Sequence, residues 1–416
     1  MKKLIAVLFV ILLIGCGGGS EFNDENTTIA DDNISYVTST SGVEYLNLLR
    51  EKAGMVKLNE NIHLDTAAKN HAYYLYVNNA SGHYEEEGKP GYTGYSPSDR
   101  AVYAGYQSRY IIENVSVGQS DINSSIDDLF SAIYHRFGFL NTTIDTIGIG
   151  FEDKDYVYDM GNAGLNYLCG GESYAGSGAY YVNVCADDTL RIYLGDYDNA
   201  INTVKSLNPG VIIWPYENAE NIPPVFYDET PDPLPDYDVS GYPVSIQFND
   251  YYYPDGVSLK SFKLYNSEGN EITDVRLIDE NTDPNSEFSS YEYALFPLQR
   301  LDWNSTYTAE VVYEYNGQVY SKIWKFTTKA LPYPYYKITT TDETIYIQSD
   351  KTYAYYFVPQ NANDLIKGYS YTYPSGDSVE SGMIDYNTVW IKVNGKSGDT
   401  FSFSFDNGDK LTLIIK

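Results

Sequence analysis

Residues 58–84 read LNENIHLDTAAKNHAYYLYVNNASGHY, and the reading of this stretch decides the fold class. From about Asp65 onward Ala68, Ala72, Leu75 and Tyr76 recur at helical spacing with His71 on the same face, which predicts an amphipathic helix. Upstream, Val43, Leu46, Leu49 and Ala53 repeat the pattern, with Ser41 as N-cap and Gly54 as stop. Downstream, Ile126, Leu129, Phe130, Ile133 and Phe137 form a third stripe, opened by Ser124-x-x-Asp127 as a capping box and carrying His135 in its last turn. Ile147-Gly148-Ile149-Gly150-Phe151 and Tyr156-Val157-Tyr158 then alternate about an acidic turn, which predicts a hairpin. Helices followed by strands make the class α+β.

The whole chain has 416 residues, too long for one ordinary core, and predicts two to three domains. Lys and Arg total 27 against 57 Asp and Glu, a formal net charge of −30. With no basic block beyond the extreme N-terminus, this argues against nucleic acid and an anionic lipid surface as partners; the plainer reading is simply a soluble acidic protein. At the N-terminus Lys2 and Lys3 precede the apolar run Leu4 to Leu13, and Leu13-Ile14-Gly15-Cys16 follows. Ten apolar residues are too few to span a bilayer. The Leu-x-Gly-Cys pattern resembles the cleavage and acylation site of bacterial lipoproteins, so the chain is expected to be tethered to membrane by lipid on Cys16. Gly17 at the next position resembles outer-membrane lipoproteins, facing either the periplasm or the surface; a one-membrane host would carry the protein on the outer face of its cell membrane. Of three Cys in all, this leaves Cys169 and Cys185, an even pair in an oxidising compartment, read as a disulfide. The alternative is two buried thiols; zinc is disfavoured there because no His follows His135.

Along the chain, residues 1–15 read as a lipoprotein signal peptide, 16–39 as a flexible tether and 40–220 as the first domain. Residues 221–243 hold six prolines, from Pro223 to Pro243, and read as a stiff, exposed, protease-sensitive linker. Short alternating runs such as Val244 to Phe248, Tyr307 to Tyr313 and Ile323 to Thr327 predict an immunoglobulin-like sandwich over 244–329. A small β domain over 330–416 closes with Asn407-Gly408 between two alternating runs, a strong hairpin signal. Neither β region contains a His, a phosphate-cradling loop or a nucleophile elbow, so both read as spacing or binding modules.

All four His, at 63, 71, 83 and 135, lie in the first domain. Leu46-Asn47-x-x-Arg50, Leu58-x-x-Asn61-x-x-Leu64-x-x-Ala67-Ala68-x-x-His71-Ala72, Gly82-His83-Tyr84, Tyr95 to Ala101, Gly105-Tyr106, Glu113-Asn114, His135-Arg136 and Ile147 to Gly150 occur in this order. Over about residues 42–152 this series resembles the CAP superfamily (SCP domain) in its bacterial form, which includes cysteine-rich secretory, antigen-5 and plant pathogenesis-related proteins. The resemblance implies an α-β-α sandwich with a cleft lined by two His and up to two acidic residues. His83, Glu113 and His135 match three of those positions, and His71 and Asn114 fall on the cleft wall. Where the wider family has its second Glu, this chain has Ala132, as many bacterial members do.

Two neutral imidazoles and a carboxylate suit Zn²⁺ with an open position for water or substrate. Without metal, Glu113 could orient an imidazole as general base, though no nucleophile stands beside it in the sequence. Each residue also has an ordinary reading: His135 as an exposed helix-terminal ring, His83 as a polar loop residue, Glu113 as a carboxylate bonding local backbone, His71 as a satisfied core His, and Arg100 with Asp99 as a structural pair or cap. The leading function is an envelope-anchored binding protein whose cleft takes a metal ion or small ligand, with the β domains available to a cell-wall or protein partner. The alternative is a metal-assisted hydrolase acting on peptides or cell-wall material.

Overall fold

The computed structural model describes residues 41–416. Cys16 and everything else read in the signal peptide and tether lie outside the described residues.

The first domain begins with α1 (Gly42–Lys52), capped by Ser41, whose side chain accepts from the Glu44 N–H at 3.1 Å. α2 (Ile62–Asn78) starts three residues earlier than the stripe predicts, because Asn61 caps the N–H groups of His63 and Leu64. α3 (Pro97–Tyr103) has a complete capping box between Ser96 and Asp99. The expected third helix is two: α4 (Ile122–Ser131), capped by Asp121 rather than Ser124, and α5 (Ile133–Phe139). The break falls at Ala132, whose extended backbone (φ −71°, ψ 120°) turns the chain. His135 thus sits in the first turn of a new helix and not in the last turn of a long one.

Four strands, β1 (Asn59–Glu60), β2 (Ile111–Ser116), β3 (Thr146–Glu152) and β4 (Asp155–Gly161), form one sheet in the order β1-β3-β4-β2. The predicted hairpin is β3–β4, and β2 is an edge strand. α2 lies on one face, over β3 and β4. Its approach explains the Gly148 and Gly150 repeat: a Cβ on Gly148 would stand 2.0 Å from the Asp65 nitrogen, and one on Gly150 2.1 Å from that of Lys69. α1, α4 and α5 cover the other face, giving α-β-α layers. α6 (Ala163–Cys169) and α7 (Leu194–Leu207) complete the domain, and Cys169 is disulfide-bonded to Cys185, 16 residues on.

The second domain is a sandwich of two four-stranded sheets. One holds strands 275–278, 292–297, 244–248 and 211–214; the other holds 258–265, 306–315, 318–328 and 219–222. Strands 211–214 and 219–222, which the sequence reading places in the first domain except for 221–222 in the linker, are therefore edge strands of the second. The Pro-rich segment also departs from an exposed linker. Residues 225–226 pair with 240–241 as a short ribbon. Val225, Phe226, Glu229, Leu234, Val239 and Tyr242 are all buried. Prolines exclude a long helix or central strand, but they leave a compact strap free to pack. The last domain, from Tyr335 onward, is a second pair of four-stranded sheets with its own core.

The first two domains share one hydrophobic core that runs from Leu46 and Phe130 to Trp214, Ile246 and Trp324. Phe130 stacks on Trp214 with ring centroids 4.2 Å apart, and Tyr242 donates to the Phe130 carbonyl at 3.0 Å. Arg136, fully buried, donates to the carbonyls of Phe130 (2.7 Å) and Pro243 (2.8 Å) and to Ser245 Oγ (3.1 Å). It ties α5 to the strap's end.

Candidate binding cleft

The site is built on two neighbouring residues of the edge strand β2. Successive strand side chains point to opposite faces, so Glu113 and Asn114 reach to either side. Glu113 Oε1 accepts from His83 Nδ1 at 2.7 Å, while Asn114 Nδ2 donates to the His135 carbonyl at 2.8 Å. One strand thus tethers both of the histidines singled out in the sequence. Both rings are buried.

His83 follows Gly82, whose φ of +87° only glycine adopts without strain. Arg100 Nη1 holds the His83 carbonyl at 2.8 Å, and its Nη2 donates to Glu113 Oε2 at 2.6 Å. Arg100 therefore does not pair with Asp99, which caps α3 and binds Arg109 at 2.8 Å instead. Burial alone would raise the Glu113 pKa; Arg100, His71 and His83 outweigh it and hold the carboxyl well below the usual range. An ionised Glu113 can only accept, so His83 carries its proton on Nδ1. Burial lowers the His83 pKa more than Glu113 raises it, and the neighbouring imidazoles add to the lowering. The ring is thus neutral, with its lone pair on Nε2.

His135 has a matching arrangement. Its Nδ1 lies 2.8 Å from Glu229 Oε1, and the same carboxylate accepts the backbone N–H groups of Ile133 (2.6 Å) and Tyr134 (2.9 Å). Glu229 belongs to the strap. In both rings Nε2 is buried without a hydrogen-bond partner.

His71 is fully buried. Its Nδ1 contacts Glu85 Oε1 at 3.0 Å and its Nε2 contacts the Gly82 carbonyl at 2.9 Å, so neither nitrogen is left for a ligand. His63 stands apart, its Nδ1 2.8 Å from the Ala104 carbonyl. Asp159 faces Glu113 across the β2–β4 ladder and is completely buried. Burial first, then the negative charge of Glu113, raises its pKa well above the ordinary value.

Sequence reasoning missed Glu85, Asp159 and Glu229. Asp159 had a signal, an acid at a strand position flanked by Tyr158 and Met160. Glu229 had none locally, since it is one of several acids in a proline-rich run.

Of the trio, Glu113 and His83 bond directly, while His135 is tied to the same strand through its backbone carbonyl and Asn114, so the three do not form a facial ligand set. Both Glu113 oxygens are engaged, one by His83 and one by Arg100. Among the described residues no group of three or more His, Cys, Asp or Glu side chains is arranged to hold a metal ion. Each of the two imidazoles has a carboxylate at Nδ1 and an unpartnered Nε2.

A layered α-β-α domain with two carboxylate-backed histidines at a sheet edge defines the class. Residues 43–170 match the cysteine-rich secretory protein family, CAP, and this part of the chain is a CAP domain. The chain is similar to an extracellular protein containing an SCP domain from Bacillus anthracis str. Ames, at 20% identity over 29% of this chain and 38% of that one, with a TM-score of 0.27. It is also similar to a cysteine-rich secretory protein from Staphylococcus aureus subsp. aureus Mu50, at 18% identity over 33% of this chain and 44% of that one, with a TM-score of 0.21. It spans less than half the length of either relative. Comparison with curated proteins returns no match. Among the described residues no helix is long and apolar enough to cross a membrane.

Proposed function

We propose that this protein is an extracytoplasmic binding protein, held at the envelope by lipid on Cys16, whose CAP cleft binds a transition-metal ion or a small ligand through His83 and His135. One observation carries the reading: two buried imidazoles, each oriented by a carboxylate, keep Nε2 unpartnered. A buried polar atom without a partner costs about 1–3 kcal/mol, and a bound ligand would recover that. Zn²⁺ suits two imidazole donors and, when bound, supplies Lewis acidity to a coordinated water or ligand. His83 and His135 would hold it. Glu113 and Glu229 keep the proton on each Nδ1, and the strap and α5 exclude water. The two β sandwiches serve as spacing or interaction modules.

Elemental analysis of the purified protein before and after chelation tests this. Zinc near one equivalent that chelation removes and dialysis against Zn²⁺ restores is the expected result. A protein that neither carries metal nor takes it up would end the metal reading.

A further inference from the structure

We propose that Glu229 is the positioning residue of His135, so that the cleft is a composite. One imidazole is oriented from within the CAP domain by Glu113, and the other from outside it by the strap. Ala132 offers no side chain to cap α5, and the helix has no side-chain cap from its own N-terminal residue. Glu229 takes that place from 94 residues away in sequence and is only 2% exposed. Its Oε1 accepts from the Tyr134 N–H and faces His135 Nδ1, so a proton on Nδ1 completes the bond and leaves Nε2 bare. The strap holds the carboxylate in place. Leu234 is fully buried in a cluster with Ile133 and Tyr134, the Tyr237 N–H donates to the Leu234 carbonyl at 2.8 Å, and Asn285 of the second domain donates to the Asp232 carbonyl at 2.7 Å. The same Asn285 donates to Tyr134 Oη at 2.9 Å, and Phe288 packs edge-on against Tyr134 and Phe137. The loop that pins the strap therefore also pins the helix that carries His135, and the second domain becomes part of the binding site.

The inference deepens the binding reading above and rests on it only for the zinc arm of its test. With four histidines in the chain, full-length protein labelled with ¹⁵N-histidine gives four ring systems, and His135→Gln identifies the one that matters. At pH 7.5 the wild-type His135 ring should carry its proton on Nδ1 with Nε2 bare. In Glu229→Ala the ring should move toward the Nε2–H tautomer while the His83 ring is unchanged, a shift that loss of a cap alone would not produce. In Glu229→Gln the amide oxygen can still accept from Nδ1, so the tautomer should survive while Zn²⁺ affinity falls roughly tenfold or more. A wild-type His135 protonated on Nε2, or a His135 ring in Glu229→Ala identical to wild type, overturns the proposal. If Glu229→Ala fails to fold, the wild-type tautomer together with Glu229→Gln decides it, and undiminished Zn²⁺ affinity in Glu229→Gln counts against it. If wild-type protein binds no Zn²⁺, the metal reading fails and the tautomers alone decide the role of Glu229.

Discussion

Asp159 and Glu113 face each other across one rung of the ladder, and only one of them can be charged at low cost. Arg100 keeps the charge on Glu113, so Asp159 retains its proton past the pH at which an unfolded chain would release it. Its contribution to stability is therefore complete below its ordinary pKa of 3.8 and is lost as the pH rises. Asp159→Asn keeps the shape and can donate an N–H to Glu113 without titrating. It should leave the melting temperature unchanged near pH 4 and raise it at pH 7.5. A variant that melts lower than wild type at pH 7.5 would show that Asp159 is ionised and paired in the folded protein.

At the scale of elements, the strap and the disulfide carry the clearest expectations. Phe226, Tyr227 and Tyr237 are cleavage sites for chymotrypsin within a segment that the sequence marks as an exposed linker. Because the segment is packed, native protein should resist cleavage there until it unfolds globally. Early nicking between residues 223 and 243 that leaves folded fragments would contradict this packing. The Cys169–Cys185 bond closes a loop of 16 residues, so reduction should destabilise the first domain by about 3 kcal/mol, measurable as a lower denaturant midpoint. The disulfide was legible in the sequence, and the packing of the strap was not. Helix stripes, the β3–β4 hairpin and the alternating strands of both sandwiches follow from local periodicity, and His83, Glu113 and His135 from the order of motifs. The split at Ala132 and the reassignment of 211–222 follow instead from tertiary pairing, which no local pattern encodes. Glu229 was hidden for the same reason: its partners lie about 95 residues upstream.

On the scale of the whole molecule, one core spans the first two domains while the third has its own. The third domain is joined to the rest by Arg300, which binds Asp385 Oδ1 at 2.9 Å and lies over Tyr356, by Trp303 Nε1 donating to Thr388 Oγ1 at 3.2 Å, by Lys337 on Asp302, by Tyr227 edge-on to Tyr386, and by the Val239 N–H donating to the Ala362 carbonyl at 3.1 Å. Calorimetry should therefore resolve two transitions, one for the CAP domain together with the first sandwich and one for the C-terminal sandwich. Separate melting of the CAP domain would deny the shared core. A composite cleft would be a property of the intact chain and is tested on it. Isothermal titration of the full-length protein with Zn²⁺ should show a single site that is tighter at pH 7.5 than at pH 5.5, because protons compete for the imidazole lone pairs. His83→Ala and His135→Ala should each abolish binding, and His63→Ala, whose ring bonds the Ala104 carbonyl, should leave it intact. Equal heats in wild type and both cleft variants, or no binding at either pH, would contradict the account.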